Sequence, residues 1–195
     1  IDDDTLVDDR FVSVWGPAAE FGALRIGPRR VYWYGYIGAP AGHRFDDELA
    51  ACRDQFAGWP QSVRDIVAAT TPAQLMRHDV WCVDPLPTYV RGRVALVGDA
   101  AHAMLPTMGQ GANSSLEDGV SVGPLIRPGA DLAAGLAAFD AARRPRTQRM
   151  ARRSVAAARI GAHLPGGWRQ SVRNGLLRLL PAAVLARMGT DVLDW

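Results

Sequence analysis

Hydrophobic and polar positions divide the first part of the chain into short elements of two kinds. Residues 11–15, FVSVW, alternate and predict a strand that Gly16-Pro17 ends. Residues 21–26, FGALRI, and 31–37, VYWYGYI, predict two more strands. The Gly27-Pro28-Arg29-Arg30 turn between them predicts an antiparallel hairpin. A period of two puts Tyr32, Tyr34 and Tyr36 on one face of the third strand, and Val31, Trp33 and Ile37 on the other. Gly38 to His43 reads as a loop. A helix is predicted over 46–58, with an acidic start, then Leu49, Cys52 or Arg53, and Phe56 at helical spacing, and Gly58 as its stop. A second short helix covers 61–69. Residues 75–83, LMRHDVWCV, predict a strand, and Pro85 and Pro87 form a stiff connection into Arg91-Gly92-Arg93. Residues 2–9, DDDTLVDD, read as a loop or a frayed end.

The second part is organised around residues 93–118, RVALVGDAAHAMLPTMGQGANSSLED. The apolar run Val94-Ala95-Leu96-Val97 predicts a strand buried on both faces, as in a parallel sheet. Gly98 breaks it and Asp99 follows, at the place where open α/β sheets bind ligands. Pro106, Gly109 and Gly111 hold a loop. From Ala112 the pattern is helical, with Ala112, Leu116 and Val120 on one face and a second stripe of small residues, Ser115, Gly119 and Gly123. The helix start offers unpaired N–H groups and the positive end of a dipole. Gly123-Pro124 is expected to end this helix. Residues 131–163 predict a long Ala- and Arg-rich helix in which Pro145 begins a new segment or makes a kink. One or two amphipathic helices are expected over 168–188. The segments so defined are 1–88, a sheet with helices, 89–126, the acidic-turn segment, and 127–195, C-terminal helices.

Composition adds bounds rather than detail. The chain has 195 residues, 48% of them hydrophobic and 22% charged, which suits a globular protein with a sizeable core in one or two domains. No run is long enough for a transmembrane helix and no signal peptide opens the chain, so the expected location is cytoplasmic, with no membrane partner. The start at Ile1 and the end at DVLDW suggest a piece of something larger. The net charge is +2 and every basic residue is Arg. Six Arg between Arg143 and Arg153 suit either phosphate contacts or a solvated or ion-paired helix face. Without interleaved aromatics and with charges nearly balanced, the solvated or ion-paired face is preferred and no nucleic-acid partner is expected. Cys52 and Cys82 fit no metal spacing and read as reduced thiols, with a disulfide as the alternative. The four His have no metal-ligand spacing, and no metal is expected. His102, directly after two Ala, reads as structural rather than as a proton shuttle.

The string GDAAH…P…GQGAN…ED, from Gly98 to Asp118, resembles the second FAD-binding motif of the group A (single-component) flavoprotein monooxygenases. These are aromatic hydroxylases built like p-hydroxybenzoate hydroxylase, and the branch resembled is that of salicylate hydroxylase, urate hydroxylase and zeaxanthin epoxidase. The resemblance implies roles by position. Asp99 hydrogen-bonds the ribityl chain of FAD. Pro106 lies beside the isoalloxazine. Gly111, Ala112 and Asn113 offer backbone N–H groups to the flavin pyrimidine. Gly98, Gly109 and Gln110 complete the cofactor-binding set. The strand bearing Tyr32 and Tyr34 becomes a wall of the aromatic-substrate pocket, which makes these two residues candidate substrate contacts. The bland alternative leaves their hydroxyls at a wet rim of ordinary packing.

The fold class implied is α/β (α+β): an antiparallel substrate-side sheet, the C-terminal part of a doubly wound FAD-binding domain, and a helical C-terminal region. The family's N-terminal Rossmann unit with G-x-G-x-x-G is missing, as is its middle Asp-Gly motif. Asp118-Gly119 lies on the helix after the flavin loop and is a chance match. The chain therefore reads as the C-terminal half of such an enzyme, a fragment or a partner of a separate chain, and inactive alone. The implied chemistry runs from NAD(P)H to FAD, then through O2 and a C4a-hydroperoxide to an aromatic or similar ring. No side chain is assigned as a catalytic residue. The alternative is a non-catalytic domain that keeps the fold without flavin.

Overall fold

The computed structural model describes residues 1–8, 11–127 and 129–181. These form two compact units, Ile1–Asp79 with Arg159–Leu179, and Val80–Ala158 with Leu180 and Pro181.

The first unit is built on a three-stranded antiparallel sheet of β1 (Val12–Gly16), β2 (Ala19–Gly27) and β3 (Arg30–Ile37), in that order. Two-residue turns join them, and each carries a residue at positive φ, Ala18 and Arg29. Period-two alternation then gives the sheet two chemically distinct faces. Ala19, Phe21 and Ala23 of β2 lie opposite Ile37, Gly35 and Trp33 of β3. This is the apolar face. It packs on α1 (Glu48–Phe56) and α2 (Gln61–Ala69), where Phe56, Val63, Ile66 and Val67 complete a core with Phe21 and Val31. Phe56 and Phe21 are each 1% exposed, and burying a side chain of this size stabilises by about 1.5–3 kcal/mol. Gly35 is needed here, because a Cβ would come within 2.8 Å of the Phe56 ring. Trp33 donates its indole N–H to Thr70 Oγ1 at 2.9 Å, so its polar edge is satisfied beside the core. Asp47 caps α1, accepting from the Ala50 N–H. α6 (Trp168–Leu179) belongs to this unit, and the rest of the 168–188 expectation beyond Pro181 lies outside the described residues.

The predicted strand over 75–83 does not form. Among the described residues no strand pairs with it, and Met76 and Trp81 are exposed. Polar contacts hold the start of the segment instead: Arg77 pairs with Asp79 at 2.8 Å and donates to the His43 carbonyl.

The second unit contains a two-stranded hairpin, β4 (Val90–Arg91) and β5 (Val94–Ala95), then α3 (Asp99–His102), α4 (Gly111–Leu125) and α5 (Leu132–Ile160). The run from Val94 to Val97 is thus an antiparallel edge, and it is not buried on both faces: Val94 and Val97 are exposed. Burial of both faces requires strands or helices on each side, and among the described residues this run pairs with β4 alone. α4 ends at Leu125, one residue past Pro124. α5 passes through Pro145 without a break. It is held on both sides of that proline: Arg143 bonds Asp118, and Thr147 bonds the Tyr89 hydroxyl at 2.7 Å. Its buried stripe is Leu136, Phe139, Arg143, Thr147, Met150, Ser154 and Ala158, at helical spacing. The predicted apolar face of α4, Ala112, Leu116 and Val120, is exposed, and Ser114 and Asp118 are the buried positions.

Cys52 and Cys82 are free thiols. Among the described residues no helix is long and apolar enough to cross a membrane, and no cluster of His, Cys, Asp and Glu suits a metal ion.

Candidate functional site

Gly98 makes the turn from the hairpin into α3 with φ +58 and ψ −141, a backbone region open in practice to glycine alone. The turn leaves the Asp99 side chain in solvent, in the first turn of α3, with no side-chain hydrogen bond among the described residues. The loop then runs through a 3-10 turn at Pro106–Met108 and a left-handed Gly109, φ +64, to Gln110, where α4 begins. Met104 and Met108 pack this loop on Met150 and Ala151 of α5.

Gln110 gives α4 no side-chain cap. The Ser114 N–H bonds the Gln110 carbonyl at 2.9 Å, so the N–H groups of Gly111, Ala112 and Asn113 form the open donor end of the helix. Ala112 and Asn113 are exposed, as are Pro106 and Gly109, while Gln110 and Gly111 are half-buried.

The acidic turn and this helix end are brought together by Ser115. Its hydroxyl donates to the Gly111 carbonyl at 3.0 Å, and the same Oγ lies 3.1 Å from where a Cβ on Gly98 would stand. The two stretches singled out by sequence therefore adjoin at Ser115. Tyr32 and Tyr34 are on β3 in the first unit, where Tyr32 is exposed and Tyr34 half-buried. The Tyr34 hydroxyl donates to Glu20 at 2.7 Å, and burial, then this bond, pushes its phenol well above the usual range.

Asp118, which the sequence reading set aside as a chance match, is the structural hub of the second unit's site. Its Oδ2 accepts the Gly98 N–H at 2.9 Å and the His102 Nε2–H at 2.7 Å; its Oδ1 accepts from Arg143 Nε at 2.7 Å. Arg143 also donates to Glu117 at 2.7 Å and to the Ser114 carbonyl at 3.1 Å, and Arg146 donates to Glu117 at 2.7 Å. Both Asp118 and Arg143 are buried. Burial pushes the Asp118 carboxyl up, but the hydrogen bonds from His102, Gly98 and Arg143 outweigh it and leave it below the usual carboxylate range. The hydrogen bond from Arg146 lowers Glu117 in the same way, against its partial burial. His102, expected to be a satisfied structural histidine, is buried with its Nε2 on Asp118 and its Nδ1 without a hydrogen-bond partner among the described residues. Arg143 and Arg146 are ion-paired, which is the preferred reading of that Arg run. What sequence reasoning missed is that one of these arginines faces inward. The available signal was periodic: Arg143 shares a helical face with Leu136, Phe139 and Met150.

The residues present suit FAD. An uncapped helix end with three free N–H groups matches the acceptor-rich edge of a flat ring, and a solvated carboxylate beside it matches a polyhydroxyl chain.

Comparison with known proteins agrees with this chemistry. Residues 2–154 match the FAD binding domain family model. The chain is 32% identical over 171 residues to the aurachin C monooxygenase/isomerase of Stigmatella aurantiaca, covering 85% of this chain and 43% of that protein. It is 34% identical over 145 residues to a FAD-dependent urate hydroxylase of Klebsiella pneumoniae, covering 73% of this chain and 38% of that one. The crystal structure of Klebsiella pneumoniae HpxO complexed with FAD and uric acid superposes with a TM-score of 0.86 at 26% identity, over 97% of this chain and 49% of that one. The chain thus spans half or less of the length of these relatives. On the match to the FAD-binding model and on these relatives, the chain belongs to the FAD-binding domain family, on the urate and salicylate hydroxylase branch of the group A flavoprotein monooxygenases.

Proposed function

We propose that the chain is the C-terminal half of a FAD-dependent monooxygenase that uses NAD(P)H and O2 to hydroxylate an aromatic or similar small ring. The observation that carries this reading is the meeting of the Gly98-Asp99 turn with the uncapped start of α4 across Ser115. Asp99 would accept hydrogen bonds from the ribityl hydroxyls. The N–H groups of Gly111, Ala112 and Asn113 would donate to the pyrimidine edge, and Pro106 would stand beside the ring. Gly98, Gly109 and Gln110 give the loop the shape that permits this. The positive end of α4 favours negative charge on the ring when it is reduced. FAD, when bound, supplies hydride acceptance and O2 activation.

The protein's own part is to bind, to orient and to keep water out. Tyr32 and Tyr34 form part of the substrate wall, within a substrate-side segment 1–88. Residues 89–126 serve the flavin, and the helices of 127–195 support them. No side chain is assigned as a general acid or base. The printed names of the relatives, a urate hydroxylase and an aurachin C monooxygenase, support the reaction class and leave this chain's own substrate open.

The reading expects a G-x-G-x-x-G unit, which holds the ADP half of FAD, in the coding segment upstream of Ile1 or on a partner chain. Purified with that unit, the protein should be yellow and should oxidise NAD(P)H faster when a phenolic ligand is added. A complete polypeptide that stays colourless on titration with FAD would instead support a non-catalytic domain.

A further inference from the structure

α6 turns its polar side inward and its apolar side out. Its buried residue is Arg173, beside half-buried Gln170 and Asn174, and Leu177 is the half-buried apolar residue of that side. Arg173 Nη1 donates to the Ile160 carbonyl at 3.0 Å and its Nε to Asn174 Oδ1 at 3.0 Å, while the guanidinium lies over the Trp15 ring at 5.6 Å. Polar contacts thus anchor the helix. Trp168, Val172, Leu176 and Leu179 recur at i, i+4, i+8 and i+11, which is one stripe along a helix. They are 72%, 53%, 61% and 81% exposed. Single apolar residues at a surface are ordinary, but a continuous stripe of four large ones marks a contact surface.

Charge decides what covers the stripe. α6 carries three Arg and no acid, and helical spacing puts the exposed Arg169 and Arg178 on opposite flanks of the stripe. The surrounding sequence has the same bias: residues 141–190 hold eleven Arg and no Asp or Glu, while the rest of the chain is net acidic. A second copy of this chain fits poorly. A two-fold contact through the stripe would set Arg169 and Arg178 against their own counterparts, with no acid on α6 to pair them. A nucleic acid would engage the arginines and leave four apolar side chains in water. An anionic bilayer surface satisfies both features, because its acyl boundary takes the stripe and its headgroups take the arginines. A helix lying in the interface does not span it, so a helix long and apolar enough to cross a membrane is not required.

We infer that α6 docks the protein on an anionic phospholipid surface. Trp168, Val172, Leu176 and Leu179 enter the headgroup boundary, and Arg169 and Arg178 pair with lipid phosphates. The inference is independent of the flavin reading, and its test needs no turnover.

The test is co-sedimentation of the chain, in its complete natural form, with phosphatidylcholine vesicles and with vesicles in which about one lipid in three is phosphatidylglycerol. At low salt the anionic vesicles should bind about tenfold or more tightly than the neutral ones, and high salt should remove most of that difference. Arg169→Gln and Arg178→Gln should each weaken binding about fivefold, the worth of one cation near the surface. Leu176→Asp should reduce binding to background, and Val172→Asp should do the same. All four positions are exposed, so an unchanged urea midpoint identifies the loss as one of docking. Equal or absent binding to the two kinds of vesicle would overturn the inference. So would variants that bind the anionic vesicles as the parent does, since the attraction would then lie elsewhere. Sedimentation velocity without lipid supplies the remaining outcome: a soluble dimer that Leu176→Asp dissociates would assign the stripe to a second copy instead.

Discussion

The carboxylate of Asp118 reaches back twenty positions to accept the backbone N–H of Gly98 at 2.9 Å. That bond ties α4 to the turn that aims Asp99. The same carboxylate is buried against Arg143, so a charge pair, a ring nitrogen and a backbone amide share one acceptor. Breaking a buried pair by removing one partner leaves the other charge uncompensated. Asp118→Ala should therefore cost about 3–5 kcal/mol in urea unfolding. Arg143→Ala should cost a similar amount, and the double variant should cost less than the sum of the two, because each single change already strands the same group.

Acid should act on the same cluster. Asp118 and Glu117 are lowered below the usual carboxylate range by their hydrogen bonds, and Asp140 is lowered by the Tyr89 N–H and Arg144 against partial burial. Groups whose folded pKa is depressed stabilise fully above their unfolded pKa, about 4, and lose that contribution as pH falls through the folded value. The urea midpoint should be insensitive to these groups above about pH 5 and should fall steeply below about pH 4. The fall should be shallower in Asp118→Asn, which has one such carboxylate fewer. An equally steep fall in that variant would show that Asp118 is not part of the acid response.

Gly22 offers a test on the other unit. Its missing Cβ is where the Tyr34 ring lies, so Gly22→Ala should displace the phenol and break its bond to Glu20. Overpacking of this kind costs about 1–3 kcal/mol. The spectroscopic readout is more specific than the stability loss. Tyr34 titrates well above the ordinary tyrosine range because burial and Glu20 both disfavour the phenolate. In Gly22→Ala, absorbance at alkaline pH should show an additional phenol titrating nearer pH 10. An unchanged alkaline titration would mean that the ring keeps its place.

The parts of this fold legible in the sequence are those fixed by near neighbours. The 61–69 helix matches α2 end to end, and the β2–β3 hairpin follows from alternation around Pro28-Arg29. The GDAAH…GQGAN string announced a turn and a helix start, and Ser115 joins them. The failures are non-local. Residues 75–83 have a strand-like pattern but find no partner strand among the described residues, and Val94–Ala95 finds only β4, so its expected burial on both faces fails; no pattern within a segment supplies its neighbours. Asp118 and Arg143 lie twenty-five positions apart on different helices, and charged side chains are read by default as solvated. Only the apolar company Arg143 keeps along α5 marks it as inward-facing. Glu20 was hidden for a related reason: its partners Ser13 and Tyr34 come from the two neighbouring strands.

Two acids of one motif should separate cleanly under mutation. Asp118 is buried and fully engaged, whereas the Asp99 side chain is exposed and makes no hydrogen bond among the described residues. Asp99→Asn should thus leave the urea midpoint within about 0.5 kcal/mol of the parent, as an exposed change away from any anchoring contact does. It should nonetheless weaken FAD binding by the complete flavoprotein about tenfold or more, since the ribityl hydroxyls lose an ionised acceptor. Asp118→Asn should do the reverse in order of severity: the fold loses first, and FAD affinity falls because the Gly98 turn is no longer held. Fluorescence titration with FAD, run beside urea unfolding on both variants, distinguishes the two acids. If Asp99→Asn binds FAD as the parent does, the exposed carboxylate has no part in the cofactor site, and the ribityl contact must be sought on another residue of the loop.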